Sequence, residues 1–315
     1  MNTNYTLAIL ASLVLTNCGG EQANESVATG VMHGQVSAVD TNDEPQPDTW
    51  GTQAQQELAL TATEKKNLVV YQNGEVVTGK VKTRAIFWGK EWTTATYAKD
   101  KISGINKLLS GIGNSNYAKV VTEYGSRKGS TTADIEHTGS VVDSSEFPTG
   151  DLTATQAVVK ICDMTSQRPD ASTVYFVYGT KKAKANICAT HGWGTCKNGA
   201  KVLMAWFPDI DNAACTARDN VTGNSSGLAA LANATAHELM ESLTDPRRTG
   251  WFAANRDEVG DKCAWNFPAQ PVALSTGKFK LINIWSNSAY EAGLGQANSY
   301  GQKGCVSSAF QAVKK

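Results

Sequence analysis

Between residues 19 and 60 the chain shows little hydrophobic periodicity, whereas from Leu68 onward short apolar runs alternate with segments of helical period. Leu68–Gln72 (LVVYQ) has the composition of a strand, and Asn73-Gly74 is a turn signal before its continuation at Glu75–Val77. Lys82–Trp88, Lys119–Tyr124, Asp134–Val142 and Lys201–Trp206 read as further strands. Ser172–Tyr178 (STVYFVY) is apolar or β-branched at nearly every position, as a central strand of a sheet is. Helical spacing predicts Thr94–Ser110, with apolar positions at Tyr97, Ile102, Ile105, Leu108 and Leu109. It also predicts Thr153–Met164, with Thr153 near the cap. Cys188–Cys196 reads as a Gly-rich loop, and residues 264–315 as loops with one short strand, Phe279–Trp285. No repeat of fixed period is visible. This alternation predicts an α+β, or mixed α/β, fold: a single domain over residues 65–315 with a mixed β-sheet.

The stretch from Ser226 to Thr244 predicts a helix with two distinct lines of side chains. Leu228, Leu231, Leu239 and Leu243 form an apolar stripe, with Thr235 between. A second line runs Ala230, Ala234, His237, Glu241. The alanines suit close packing, and the same line then becomes an imidazole and a carboxylate. A packed helix face rarely buries such groups without a partner for their charge, and a metal would be one.

His237 and Glu241 stand four residues apart, so they project from one helix face, with Glu238 beside the histidine. His-Glu-x-x-Glu is a variant of the His-Glu-x-x-His pattern of zinc hydrolases, in which two side chains bind the ion and the first glutamate acts as general base. Exchanging the second histidine for Glu241 keeps an acceptable ligand and adds negative charge, which would make bound water less acidic or shift preference toward harder ions. Glu258 or Asp261, in the acidic segment Asp257–Asp261, would complete the ligand set. The expected cofactor is a divalent metal, zinc first. Spacing alone is equally compatible with an ordinary amphipathic helix.

His191, in Cys188-Ala-Thr-His-Gly-Trp-Gly, reads as a packed loop histidine, with a role as auxiliary ligand or oxyanion donor as the alternative. His137 reads as structural or exposed, and Pro208-Asp-Ile-Asp211 as a solvated loop rather than a calcium site. Neither a Gly-x-Ser-x-Gly elbow nor a phosphate loop is present, which removes support for serine hydrolases and nucleotide-binding proteins. The tryptophans, Trp193, Trp251, Trp265 and Trp285 among them, are expected to pack.

Ahead of the domain, Leu7–Leu15 is an apolar run of nine residues, which suits an export signal and is too short to span a membrane. It leads to Leu15-Thr-Asn-Cys18-Gly, similar to a bacterial lipoprotein cleavage box. Residues 1–18 are therefore expected to be a signal peptide with lipid attachment at Cys18, or alternatively a plain secretion signal. Residues 19–64 read as a disordered acidic tether. The first 64 residues hold eight Asp/Glu and no Lys or Arg, which leaves 29 basic and 21 acidic residues, a net +8, in the body. No arginine-rich run or basic–aromatic array argues for nucleic acid. With Cys18 lipidated, six of the seven cysteines remain, an even number that suits disulfides in an oxidising compartment. The pairings expected are Cys263–Cys305 and a bridge within Cys188, Cys196 and Cys215.

The motifs together resemble the phosphate-induced, EXORDIUM-like family of secreted proteins, in its bacterial type. The residues that carry the resemblance span about 69–306: Val70–Gly74, Ile86–Gly89, Cys188–Gly192, AHELMESLTDP at 236–246, Gly250-Trp-Phe, Glu258–Cys263, Trp285-Ser-Asn and Gly304-Cys-Val. The chain departs from the family pattern at Gln72-Asn73 and at Ala189. The resemblance implies an extracytoplasmic protein of about one domain, and residue by residue it points to His237, Glu238, Glu241, Glu258 and Asp261. The reading that follows is a lipid-anchored or secreted bacterial cell-envelope protein. It would carry a zincin-like active-site helix and act as a metal-dependent hydrolase on a peptide. The alternative is a non-catalytic surface protein that binds a cell-wall or extracellular polymer. A carbohydrate hydrolase would need a defined carboxylate pair across a groove, and the sequence offers none.

Overall fold

The computed structural model describes residues 68–148, 153–181, 187–210 and 215–309, with the backbone of 33–34 and 50–51. Five strands carry the central sheet: β1 (Val81–Trp88), β2 (Ile135–Asp143), β3 (Thr173–Tyr178), β4 (Ile187–Thr195) and β5 (Lys201–Phe207). Their order is β4-β5-β3-β1-β2. Strands β5, β3, β1 and β2 are mutually parallel, and β4 runs antiparallel to β5. Three helices pack on this sheet: α1 (Lys101–Ile112), α2 (Ala154–Met164) and α3 (Ser226–Thr244). The architecture is α+β, as the pattern predicts.

Period-two alternation divides the core. Val81, Ala85, Phe87, Val174, Phe176, Tyr178, Ala205 and Phe207 face α1 and α3, while Ile86, Trp88, Tyr175, Val177, Val202, Met204 and Trp206 face α2. Helix α2 starts with a full capping box between Thr153 and Gln156. Helix α3 is capped by Ser225, whose hydroxyl accepts from Leu228 N while its own backbone N–H donates to Asp100. Helices α1 and α3 meet closely at Gly104, where a Cβ would stand 2.2 Å from the Leu228 side chain.

The C-terminal segment covers the other side of α3. It forms a hairpin (Val272–Leu274 with Gly277–Phe279) and a small sheet of Ile284–Trp285, Gln296–Ala297 and Lys303–Val306. Leu281, Ile282, Ile284 and Trp285 join the α3 core, and Ile282 N–H donates to the buried Asn233 Oδ1 at 2.8 Å. Sheet and C-terminal segment together bury every α3 residue from Gly227 to Thr244.

Five sequence expectations are corrected. The continuation expected at Glu75–Val77 is not a strand, since only Val70–Tyr71 pairs, with Trp251–Phe252. Lys119–Tyr124 is a 3₁₀ helix (Ala118–Glu123): Ala118 and Val121, three residues apart, share its buried side. The expected loop Cys188–Cys196 lies, up to Thr195, in strand β4, because the ladder with β5 recruits it despite Gly192 and Gly194. The helix expected over Thr94–Ser110 breaks at Lys99, whose φ is 45°, and restarts at Lys101. The strand expected at Phe279–Trp285 divides between the hairpin and the small sheet. The leader with Cys18, and residues 19–64 apart from two dipeptides, lie outside the described residues. Those dipeptides add backbone to the edge of β4: His33–Gly34 pairs with Trp193 and Gly194, and Trp50–Gly51 with Ala189 and Ile187. No described helix is long and apolar enough to cross a membrane.

Disulfides Cys162–Cys196, Cys188–Cys215 and Cys263–Cys305 tie α2 to the end of β4, the start of β4 to the segment before α3, and the 261–263 turn to the small sheet. Three bridges fit an oxidising, extracytoplasmic setting. Cys263–Cys305 spans 42 residues, so its removal is expected to cost about 2–4 kcal/mol. Chemical denaturation of the Cys263→Ser/Cys305→Ser variant should show that loss, and an unchanged midpoint would contradict it.

Candidate metal centre

Helix α3 brings His237, Glu238 and Glu241 to the end of the core, each about 1% exposed. His237 Nε2 lies 3.0 Å from Glu241 Oε2, the i,i+4 meeting that the spacing predicts. The other Glu241 oxygen, Oε1, accepts from Gly260 N at 3.2 Å and Asp261 N at 3.1 Å. That turn approaches closely: a Cβ on Gly260 would stand 2.7 Å from Glu241 Oε1 and 2.8 Å from His237 Nδ1.

Strand β4 supplies His191. It pairs across from Ala205, so its side chain points to the α3 face of the sheet. Its Nδ1 lies 3.3 Å from Glu238 Oε2 and 3.7 Å from Glu241 Oε2, and its Nε2 lies 3.2 Å from the Asp245 carbonyl oxygen. An Nε2–H donated to that carbonyl leaves Nδ1 as the lone-pair nitrogen, facing the two glutamates. His191 is thus a buried member of the site rather than the packed loop residue expected.

The turn after α3 adds two more carboxylates. Glu258 is fully buried, with Oε2 3.7 Å from His191 Nε2. Asp261 Oδ1 lies 3.4 Å from His237 Nε2, and its side chain is 15% exposed. The turn is anchored by Trp285 N–H donating to Val259 O, by Lys262 N–H donating to Glu258 O and by the Cys263–Cys305 bridge.

All five residues picked out by motif therefore converge, and His191 joins them. Ligand atoms about 2.0–2.1 Å from a tetrahedral zinc stand about 3.3 Å apart. The separations of 3.0, 3.3, 3.4 and 3.7 Å here bracket that value. Two sets, His237/Glu238/Glu241 and His191/Glu241/Glu258, each offer three ligand atoms within 4.8 Å of one another. Sequence reasoning missed Gly260 and the Asp245 carbonyl, because backbone groups that orient ligands leave no residue-type signature. His137, by contrast, is half-buried against Thr83 and Asn106, away from this cluster. In the Pro208–Asp211 loop, Asp209 is described and Asp211 is not.

Burial sets the electrostatics. It pushes the Glu241 carboxyl up to about 8, the Asp261 charge adding to the rise and His237 opposing it. Burial disfavours the His237 imidazolium, but Glu241, Asp261 and Glu238 outweigh it and hold its pKa well above the ordinary histidine value. Burial, then the Glu241 charge, also raises the Tyr117 phenol.

These directions give a sign for stability. Glu241 holds its proton up to about 8 when folded, against 4.5 for an ordinary glutamate, so its contribution is full below 4.5 and is lost as pH rises through 8. The rise at His237 draws on the Glu241 charge, so the two hold their protons as one coupled pair and contribute in this one direction. The chelator-treated protein is therefore expected to melt at progressively lower temperature from about pH 5 to about pH 8.5. Thermal unfolding followed by circular dichroism checks this, and a melting temperature that rises with pH in chelator would contradict it.

Comparison of the chain with family models, with curated proteins and with solved structures finds no match.

Proposed function

We propose that this chain is an extracytoplasmic, metal-dependent hydrolase of zincin-like type that acts on peptides, with zinc as its metal. One observation carries the reading: His237 and Glu241 of α3 meet His191 of β4 and Asp261 of the following turn, with the Glu238 carboxylate against His191. A bound divalent cation would polarise a substrate carbonyl and make water acidic enough to attack it. Three or four of His237, Glu241, His191 and Asp261 would hold that ion. Glu238 would take the proton of the attacking water. Its Oε2 faces His191, and its Oε1 has no hydrogen-bond partner among the described residues, which leaves that oxygen available as the accepting atom. Gly260 and Asp261 N–H groups hold Glu241, and the Asp245 carbonyl holds the His191 ring, so the ligands are oriented before an ion arrives.

The finer setting belongs to the same proposal. Cys18 would carry the lipid that anchors the chain to the bacterial envelope, and the resemblance to the EXORDIUM-like family supports the extracytoplasmic setting. A second reading has burial on its side. Every group in the cluster except Asp261 is almost shut off from solvent. Closed metal sites are structural ones, which suits a non-catalytic, polymer-binding surface protein.

Metal content of the purified full chain tests the reading, with His237→Ala and Glu238→Gln beside wild type. Mass spectrometry should find zinc in wild type and Glu238→Gln and much less in His237→Ala. Cleavage of a fluorogenic peptide library should fall at least about 100-fold in Glu238→Gln. Folded wild type without metal overturns the proposal. Metal without cleavage in wild type overturns the hydrolase and leaves the structural reading.

A further inference from the structure

The donors around Glu241 outnumber what one ion uses. A tetrahedral catalytic ion takes three protein ligands and keeps one position for water. Here six side chains converge: His191, His237, Glu238, Glu241, Glu258 and Asp261. They fall into two three-ligand sets, His237/Glu238/Glu241 and His191/Glu241/Glu258, that share only Glu241. Asp261 extends the first set through its contact with His237. We propose that the centre takes two divalent cations, with the Glu241 carboxylate as their common ligand. This rests on the reading of the cluster as a metal centre and departs from it in one role: here Glu238 is a ligand and not the proton acceptor.

Charge points the same way. Fully ionised, the four carboxylates carry four negative charges, and two neutral imidazoles add none. One divalent cation leaves two negative charges inside a core where Glu238, Glu241 and Glu258 are at most 1% exposed, and two cations balance the set. Lys262, the cation of the same turn, sends its ammonium to Gln302 at 3.1 Å and over the Trp285 ring at 4.6 Å. A second observation is independent of the count: Glu238 Oε1 is buried, in a carboxylate aimed at His191, and has no hydrogen-bond partner among the described residues. A buried carboxylate oxygen in that position calls for a cation or a donor.

The geometry allows the sharing. His237 Nε2 and His191 Nδ1 approach the same oxygen, Glu241 Oε2, at 3.0 and 3.7 Å. Paired ions in two-metal sites sit about 3.5–4 Å apart, often with a carboxylate between them. Mixed carboxylate and imidazole donors suit first-row ions such as Mn²⁺ and Zn²⁺ better than thiophilic ones.

The test uses the full chain, stripped with chelator and then titrated separately with Zn²⁺ and Mn²⁺. Wild type should retain two Zn²⁺ per chain after gel filtration, and Glu258→Gln one. With Mn²⁺, the first equivalent should give the six-line paramagnetic resonance signal of an isolated ion, and the second should reduce that signal through coupling within the pair. One Zn²⁺ per wild-type chain, with an additive Mn²⁺ signal, overturns the second cation and leaves a mononuclear centre standing. No Zn²⁺ in folded wild type overturns both readings. Two Zn²⁺ in both wild type and Glu258→Gln overturns the ligand assignment. Should Glu258→Gln fail to fold, the wild-type stoichiometry and the Mn²⁺ spectra decide.

Discussion

Burying carboxylates is the costly act on which this fold turns. The effective penalty for taking one charge out of water is several kcal/mol, and it is repaid only by close partners. Helix α3 carries two glutamates into a region sealed on both sides, and the following turn brings in a third. Much of the local backbone is arranged around them. Gly260 and Asp261 donate to Glu241, Gly250 N–H donates to Asp245 Oδ1 at 2.6 Å, and the Asp245 carbonyl takes the His191 ring. These bonds orient the acidic groups, but N–H dipoles do not cancel full charges. What remains is met by protons shared with His237, or by metal.

The scaffold explains why such a cluster can be held at all. A helix buried on every side needs small residues where other layers press against it, and α3 has alanine at 229, 230, 232, 234 and 236. Along one stripe Ala230 and Ala234 give way to His237 and Glu241 as the helix runs toward its C-terminal end. There β4, the antiparallel strand beside β5, contributes His191 from above. The C-terminal segment closes from the opposite side, and a disulfide fixes the turn that carries Asp261. Three chain segments far apart in sequence thus meet at one carboxylate, Glu241, so the centre tests the integrity of the whole domain.

The sequence made α3 legible because it carries two concordant signals: helical apolar period and a His-Glu-x-x-Glu spacing. Its bounds, 226 and 244, match the structure. β1, β3 and β5 were legible as short apolar runs, and α2 from its cap. His191 was not, and the reason is local. Glycines at 192 and 194 weaken strand propensity, and only the ladder with Val202–Trp206 overrides it. Once β4 is a strand, period two sends Ala189, His191 and Trp193 to one face, and the histidine's place follows. The 3₁₀ turn at Ala118–Glu123 was missed for a similar reason, since Val120-Val121 has strand composition and no cap. Glu258 and Asp261 were found through their acidity, whereas Gly260, which lets the turn touch Glu241, is recognisable only from the contact it permits.

Closure and chemistry pull in different directions at this site. A structural ion is satisfied when its donors match its charge and coordination, and extra acidic groups beside it only raise the cost of burial. The cluster carries such extras. Glu238 contacts His191 and keeps one oxygen without a hydrogen bond among the described residues, an arrangement with no structural benefit for a single closed ion. That surplus favours a centre that uses its carboxylates, as ligands to a second cation or as a proton acceptor. Solvent meets the cluster chiefly at Asp261, at the lip of the turn. The turn at that lip has its far end fixed by Cys263–Cys305 and its start closed by the Ala253 N–H donating to Asp257 O at 2.8 Å. Between these ends the Trp285 N–H to Val259 O bond and the Gly260 and Asp261 N–H groups on Glu241 tie the turn to the core, so the lip is held along its length and not only at its disulfide.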